Sequence, residues 1–154
     1  DWMIRLISET RSTRAELNVA PGALIPMLQI GADPTTAARL ERYQELIDRL
    51  ARLEYSTSSD VAPTGSVTFV LDDTTVALPL EGVIDFATET ARLTKELARI
   101  DAEIGKISAK LGNEDFVARA PDEVVEEQKE RLADYRATHE KLAHALERLK
   151  PMLD

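Results

Sequence analysis

Residues 93–111, L-T-K-E-L-A-R-I-D-A-E-I-G-K-I-S-A-K-L, decide the reading of this chain, because Leu93, Leu97, Ile100, Ile104, Ile107 and Leu111 alternate spacings of four and three. That is a heptad seam, an apolar stripe along one helix, which Phe86 extends upstream. Downstream, Val125, Gln128, Leu132, Tyr135, His139, Leu142, Leu146 and Leu149 keep the same alternation. The segment between, L-G-N-E-D-F-V-A-R-A-P-D, carries a terminator and an initiator. Gly112 can close the first helix in the left-handed conformation, and Pro121 suits a first helical position, with Asp122 and Glu123 facing the positive helix end. So short a connection makes the helices antiparallel. At about 1.5 Å per residue, helices of about 28 residues give an arm on the order of 40 Å long.

Upstream of the arm the pattern changes. Residues 1–20 open with Trp2, Met3, Ile4, Leu6 and Ile7, place Arg11 and Arg14 one turn apart, and end at Pro21-Gly22, as the last helix of something larger would. Residues 24–30, L-I-P-M-L-Q-I, have the apolar density of a strand that Pro26 pushes toward a sheet edge. Asp33-Pro34 starts a helix over about 35–53, with Asp33 as N-cap and Pro34 at the first position. Residues 54–58 read as a short strand. S-V-T-F-V-L and T-V-A-L-P-L flank the turn dipeptide Asp72-Asp73 and read as a hairpin, a turn and not an acid–base or metal site. The fold expected is α+β: a small, mostly antiparallel sheet with one packed helix, carrying a long antiparallel two-helix coiled-coil arm. The boundaries expected are 1–20, 21–82 and 83–154, with Glu81-Gly82 as the joint between sheet and arm.

Composition narrows the function. The 154 residues hold no cysteine, which excludes disulfides and thiolate metal sites. His139 and His144 are five apart and do not share a helical face, so no common metal is expected. No run approaches a membrane span, and no basic segment precedes an apolar core at the start. The opening inside a helical pattern suggests an excised fragment. A formal charge of -9 argues against a surface coated with phosphate contacts, while leaving room for a local basic stripe.

Heptad bookkeeping supplies such a stripe. With Leu97, Ile104 and Leu111 at a, Arg92, Arg99 and Lys106 fall in one row at c, with Lys95 nearby at f and Lys110 toward the end of the helix. A row of cations can track a phosphate backbone. It can equally be a solvated face, since Glu89–Arg92, Glu96–Arg99 and Glu103–Lys106 are all i, i+3 pairs. Across the hairpin, Asp101 is expected near Arg136 and Glu103 near Arg131, for a turn centred at Val117-Ala118. Gln128 and His139, polar at seam positions, read as register-setting. At the tip, Phe116 either stacks on an unpaired base or plugs the end of the seam, and Arg119 is placed to meet phosphate.

The chain resembles the C-terminal end of bacterial valyl-tRNA synthetases over essentially its whole length. The resemblance rests on R-S-T-R-A-E-L-N-V-A-P-G (11–22), on L-P-L-E-G-V-I-D-F (78–86), and on the tip K-L-G-N-E-D-F-V-A-R-A-P-D-E-V-V-E-E-Q-K-E-R-L-A-D-Y (110–135). Leu17 stands where methionine is usual, and Gln128 where a charged residue is more frequent. The resemblance implies a cytoplasmic, class I valine-tRNA ligase, joining valine to its tRNA with ATP and Mg²⁺, whose arm touches the outer corner of the tRNA. The H-I-G-H-like and K-M-S-K-S-like ATP signatures have no counterpart here, so this part is expected to be non-catalytic and to hold no cofactor. It also implies that Arg11, Arg14 and Asn18, on the last helix of an anticodon-binding bundle, reach anticodon-stem phosphates, although both arginines can instead pair with Glu9 and Glu16. A monomer that binds no DNA and no membrane is expected. The competing reading is a helical-hairpin protein-interaction or dimerisation module without RNA.

Overall fold

The computed structural model describes residues 1–153. Its elements are α1 (Trp2–Glu16), β1 (Ile25–Ile30), α2 (Pro34–Arg42), α3 (Gln44–Leu50), β2 (Leu53–Ser58), β3 (Ser66–Leu71), β4 (Thr74–Pro79), α4 (Phe86–Leu111), α5 (Glu114–Arg119) and α6 (Asp122–Leu149), followed by a 3-10 turn, Lys150–Leu153. The class is α+β, as expected. Two compact units result, Asp1–Glu89 with the residues from Arg148 on, and Thr90–Glu147.

In the first unit the strand order is β2-β1-β4-β3, with β1 parallel to β2 and the other two ladders antiparallel. The cross-strand row Gln29–Val76–Phe69 and the pair Leu78–Val67 put one face of the sheet into the core, with Met27 also fully buried. Leu6, Leu17 and Ile47 are fully buried with them. Each such side chain contributes about 1.5–3 kcal/mol of burial. The expected β3–β4 hairpin forms around Asp72-Asp73, with Leu71 paired to Thr74 and Asp72 at φ 54.

The first unit departs from expectation at Pro26 and at Tyr43. Pro26 does not mark an edge, because β1 lies between β2 and β4. The β1–β2 register shifts between Ile25 and Pro26, and pairing with β4 runs only over Leu28–Ile30, so neither ladder needs the N–H that proline lacks. The helix expected over 35–53 is two helices that part at Tyr43, where φ is -108° and ψ 16°. After the break α3 is stitched to β2: the Gln44 amide donates to the Ser56 carbonyl (3.2 Å), and the Ser56 hydroxyl to Asp48 (2.8 Å).

The R-A-E-L-N-V stretch has a geometric explanation. Asn18 takes φ 59, its N–H donates to the Ala15 carbonyl (3.2 Å), and that of Val19 to Arg14 (2.9 Å). These are the two bonds of a Schellman helix end, and asparagine tolerates the left-handed position. One turn back, Arg14 is turned inward and only 6% exposed. One terminal nitrogen of its guanidinium donates to the Arg52 and Ala51 carbonyls (2.7 and 3.4 Å), the other to Ala23 and Ala20 (2.6 and 3.1 Å). At the end of α6, Arg148 donates to the Thr13 hydroxyl (2.9 Å) and to Glu16 (3.3 Å). Glu16 is thus engaged by Arg148.

In the second unit the seam is as the heptads read. On α4, Leu93, Ile100 and Ile107 are buried and Leu97, Ile104 and Leu111 half-buried, while α6 buries Val125 and Gln128 and half-buries Leu132, Tyr135, His139, Leu142 and Leu146. The cross-pairs differ from those expected. Asp101 pairs with His139, 2.9 Å from Nε2, one helical turn beyond Arg136, and Glu103 accepts from Lys106 of its own helix. The difference arises at the turn, which holds the short helix α5, capped by Asn113, in place of an open loop. Nor does Gly112 adopt the left-handed conformation; its N–H closes on Ser108 (2.9 Å).

Arg14→Leu is expected to lower unfolding free energy by about 3 kcal/mol, since it removes the side-chain donor of the Ala23 and Ala51 carbonyls and breaks the link to Ala20 and Arg52. Arg14→Lys is expected to recover only part, lacking the planar fork; urea unfolding reads both. Asp33 and Asp85 each accept an N–H at a helix start, from Thr36 (2.7 Å) and Thr88 (2.9 Å), and these bonds hold both carboxyls below their ordinary range. With folded values depressed, their stabilisation is complete above the ordinary carboxyl value and fades as pH falls through the folded one. Thermal melts of Asp33→Ala and Asp85→Ala should fall below the parent at pH 7, with the gap narrowing under acid.

Candidate nucleic-acid interface

Arg92, Arg99 and Lys106 recur once per heptad along α4, about 10 Å apart. All three are exposed, and the seam occupies another face of the helix. Each has local company. Arg99 grips Glu96 through two nitrogens, at 2.6 and 3.1 Å, and Lys106 lies 3.4 Å from Glu103. Arg92 is engaged as well. The hydrogen bond between Arg99 and Glu96 pulls the carboxyl down and the guanidinium up. Such pairs between exposed side chains sit in high dielectric, where an incoming phosphate can replace the carboxylate at small cost. Lys95 and Lys110, also exposed on α4, make no ion pair among the described residues.

At the turn, the Asn113 side chain accepts from the Asp115 and Phe116 N–H groups (3.0 and 3.3 Å), which fixes the start of α5. Phe116 is half-buried, neither a free stacking platform nor a sealed plug. Arg119, in the last turn of α5, is exposed, as is Val117. The turn thus brings a half-covered aromatic and a cation into one six-residue helix.

The third group separates. Arg11 is exposed, Asn18 serves the end of α1, and Arg14 spends its donors on backbone carbonyls. Arg52 joins Arg11 and Arg14 around a single cleft, although it is 38 residues from Arg14 in sequence. No short-range signal marks it; only the packing of α3 against α1 brings it there. Asp72 accepts both terminal nitrogens of Arg5 (3.1 and 2.9 Å), a bond that holds its carboxyl below the ordinary range. Among the described residues no group of acidic and histidine side chains is arranged to hold a metal. No described helix is long and apolar enough to cross a membrane.

Comparison with known proteins adds independent findings. Residues 85–150 match the family described as the valyl tRNA synthetase tRNA binding arm. The valine–tRNA ligase of Mesorhizobium japonicum is 47% identical over 150 residues, which is 97% of this chain and 16% of that protein. That of Caulobacter vibrioides is 48% identical over 148 residues, covering 96% of this chain and 16% of the relative. That of Granulibacter bethesdensis is 49% identical over 150 residues, 97% of this chain and 17% of its own length. The chain therefore spans about a sixth of the length of the curated relatives it matches. Residues 85–150 are thus similar to the valyl tRNA synthetase tRNA binding arm, within a sequence similar along nearly its whole length to part of the valine–tRNA ligases.

Proposed function

We propose that this chain is the C-terminal tRNA-binding part of a valine–tRNA ligase, and that its helical hairpin holds the tRNA corner by shape and phosphate contacts. The observation that carries the reading is the exposed row Arg92–Arg99–Lys106, in a hairpin that matches a tRNA binding arm. Lys95 and Lys110 extend the row, and Arg119 with Phe116 forms its far contact. Phosphate contacts position the RNA without reading its sequence. Selection among tRNAs then falls to other parts of the enzyme.

In this reading α1 ends the anticodon-binding bundle, residues 21–82 link, and the hairpin clamps. The whole enzyme joins valine to its tRNA with ATP and Mg²⁺ in the cytoplasm, and the chemistry lies outside this chain, which needs no cofactor. The burial of Leu93, Ile100, Ile107 and Val125 within one chain supports a monomer. The partner is valine tRNA, with neither DNA nor membrane involved.

Two measurements test this. Reversing Arg92, Arg99 and Lys106 to glutamate should weaken binding of valine tRNA and flatten its salt dependence by about one logarithmic unit per lost phosphate contact. Wild-type affinity in that variant would refute the row. In the whole ligase, replacing residues 90–147 by a short glycine linker should raise the KM for tRNA and leave adenylate formation unchanged. An unchanged KM would remove the hairpin from tRNA binding. Sedimentation of this chain as a dimer would instead favour a partner-binding hairpin.

A further inference from the structure

Where the C-terminal ends of α1 and α3 meet lies a cleft of about 260 Å³ with Arg11, Arg14 and Arg52 on its walls, beside Val19, Pro21 and Leu50. No carboxylate lines it, in a chain with 28 acidic and 19 basic residues. The three cations differ in freedom. Arg14 is buried and fixed by four carbonyls, so its charge is set in place without being neutralised by an anion. Arg52 is held by its left-handed backbone, φ 55, and by donation from Nη1 to the Pro21 carbonyl (2.8 Å), which leaves the rest of its guanidinium edge available. Arg11 is exposed. Neither Arg11 nor Arg52 makes an ion pair among the described residues. Burial, and next the charge of Arg52, push the Arg14 guanidinium below its ordinary value.

Like charges held together at a solvent-open cleft favour an anion between them. Guanidinium edges match a group with two acceptor oxygens, and the apolar wall suits a sugar. We propose that this cleft receives one phosphodiester of an RNA strand: Arg11 and Arg52 donate to its non-bridging oxygens, the fixed charge of Arg14 lies beneath, and the ribose rests on Val19, Pro21 and Leu50. The inference rests on the RNA-binding reading but uses residues apart from the hairpin. Arg14 acts here as a preset charge, Arg11 and Arg52 are the contacts, and Asn18 takes no part.

The test is fluorescence anisotropy of valine tRNA with the full 154-residue chain, across about 50 to 200 mM salt. Arg11→Ala, Arg52→Ala, Arg52→Lys and Arg49→Ala are compared with the hairpin triple variant. Arg11→Ala and Arg52→Ala should each weaken binding about tenfold and lower the salt slope by about one. Arg52→Lys should retain the slope with intermediate affinity, and Arg49→Ala, exposed on α3 outside the cleft, should bind as the parent does. If Arg52→Ala melts early, Arg11→Ala, at an exposed helix position, decides alone. Wild-type affinity and slope in Arg11→Ala overturn the cleft even if the hairpin variant loses binding; the reverse pattern overturns the hairpin row and leaves the cleft. No tRNA binding by the unaltered chain overturns the cleft site. A probe for anion class accompanies this: the Arg11 and Arg52 Nε–H signals should move with inorganic phosphate, and an equal response to acetate would reassign the cleft to a peptide carboxylate.

Discussion

A guanidinium taken out of water must find acceptors, and that constraint decides how three pieces of the first unit meet. Arg14 draws carbonyls from the turn after α1 and from the turn between α3 and β2 onto one planar group. Ala20 and Arg52 also accept backbone N–H groups, from Ala23 and Ile25, while leaving the Ala23 and Ala51 oxygens unpaired would cost about 1–3 kcal/mol each. One side chain therefore fixes the end of α1 against the entry of β2, and the parallel β1–β2 pairing follows beside it. The Schellman bond from Val19 to the Arg14 carbonyl sets the same residue's backbone.

The hairpin obeys a different rule. Its helices, at 26 and 28 residues, are long enough to count on propensity, yet their order comes from a narrow seam and from one polar pair across it. Aliphatic seams tolerate slippage by a heptad, since leucine and isoleucine read alike. Asp101 against His139 breaks that degeneracy, because a slipped register would leave both without the other.

This contrast explains what could be read from residues alone. The seam, the cap at Asp33 and the Asp72 turn are set by neighbours within about seven positions, and there pattern and structure agree. Where partners lie 30 or more residues apart, pattern was silent or misleading. Pro26 obeys its rule through a local irregularity that no sequence displays, and the Asp101 partner shifted by one turn because E-D-F-V-A-R coils instead of looping. Of the candidate interface, the α4 row was legible as a periodicity. The convergence of Arg52 with Arg11 and Arg14 was not, being a product of tertiary packing.

The first unit is not a continuous stretch of chain: it runs to Glu89 and resumes at Arg148, with the hairpin inserted between. Arg148, which donates to Thr13 and Glu16, leaves the ribosome some seventy residues after the sheet is finished. An unstructured insertion of that length would resist bringing its ends together, a cost that grows with the logarithm of loop length. Antiparallel helices remove that cost by returning the chain to where it departed. Zippering of the hairpin is thus also the step that delivers the last piece of its neighbour, and the order of synthesis becomes an order of assembly: sheet, hairpin, closure.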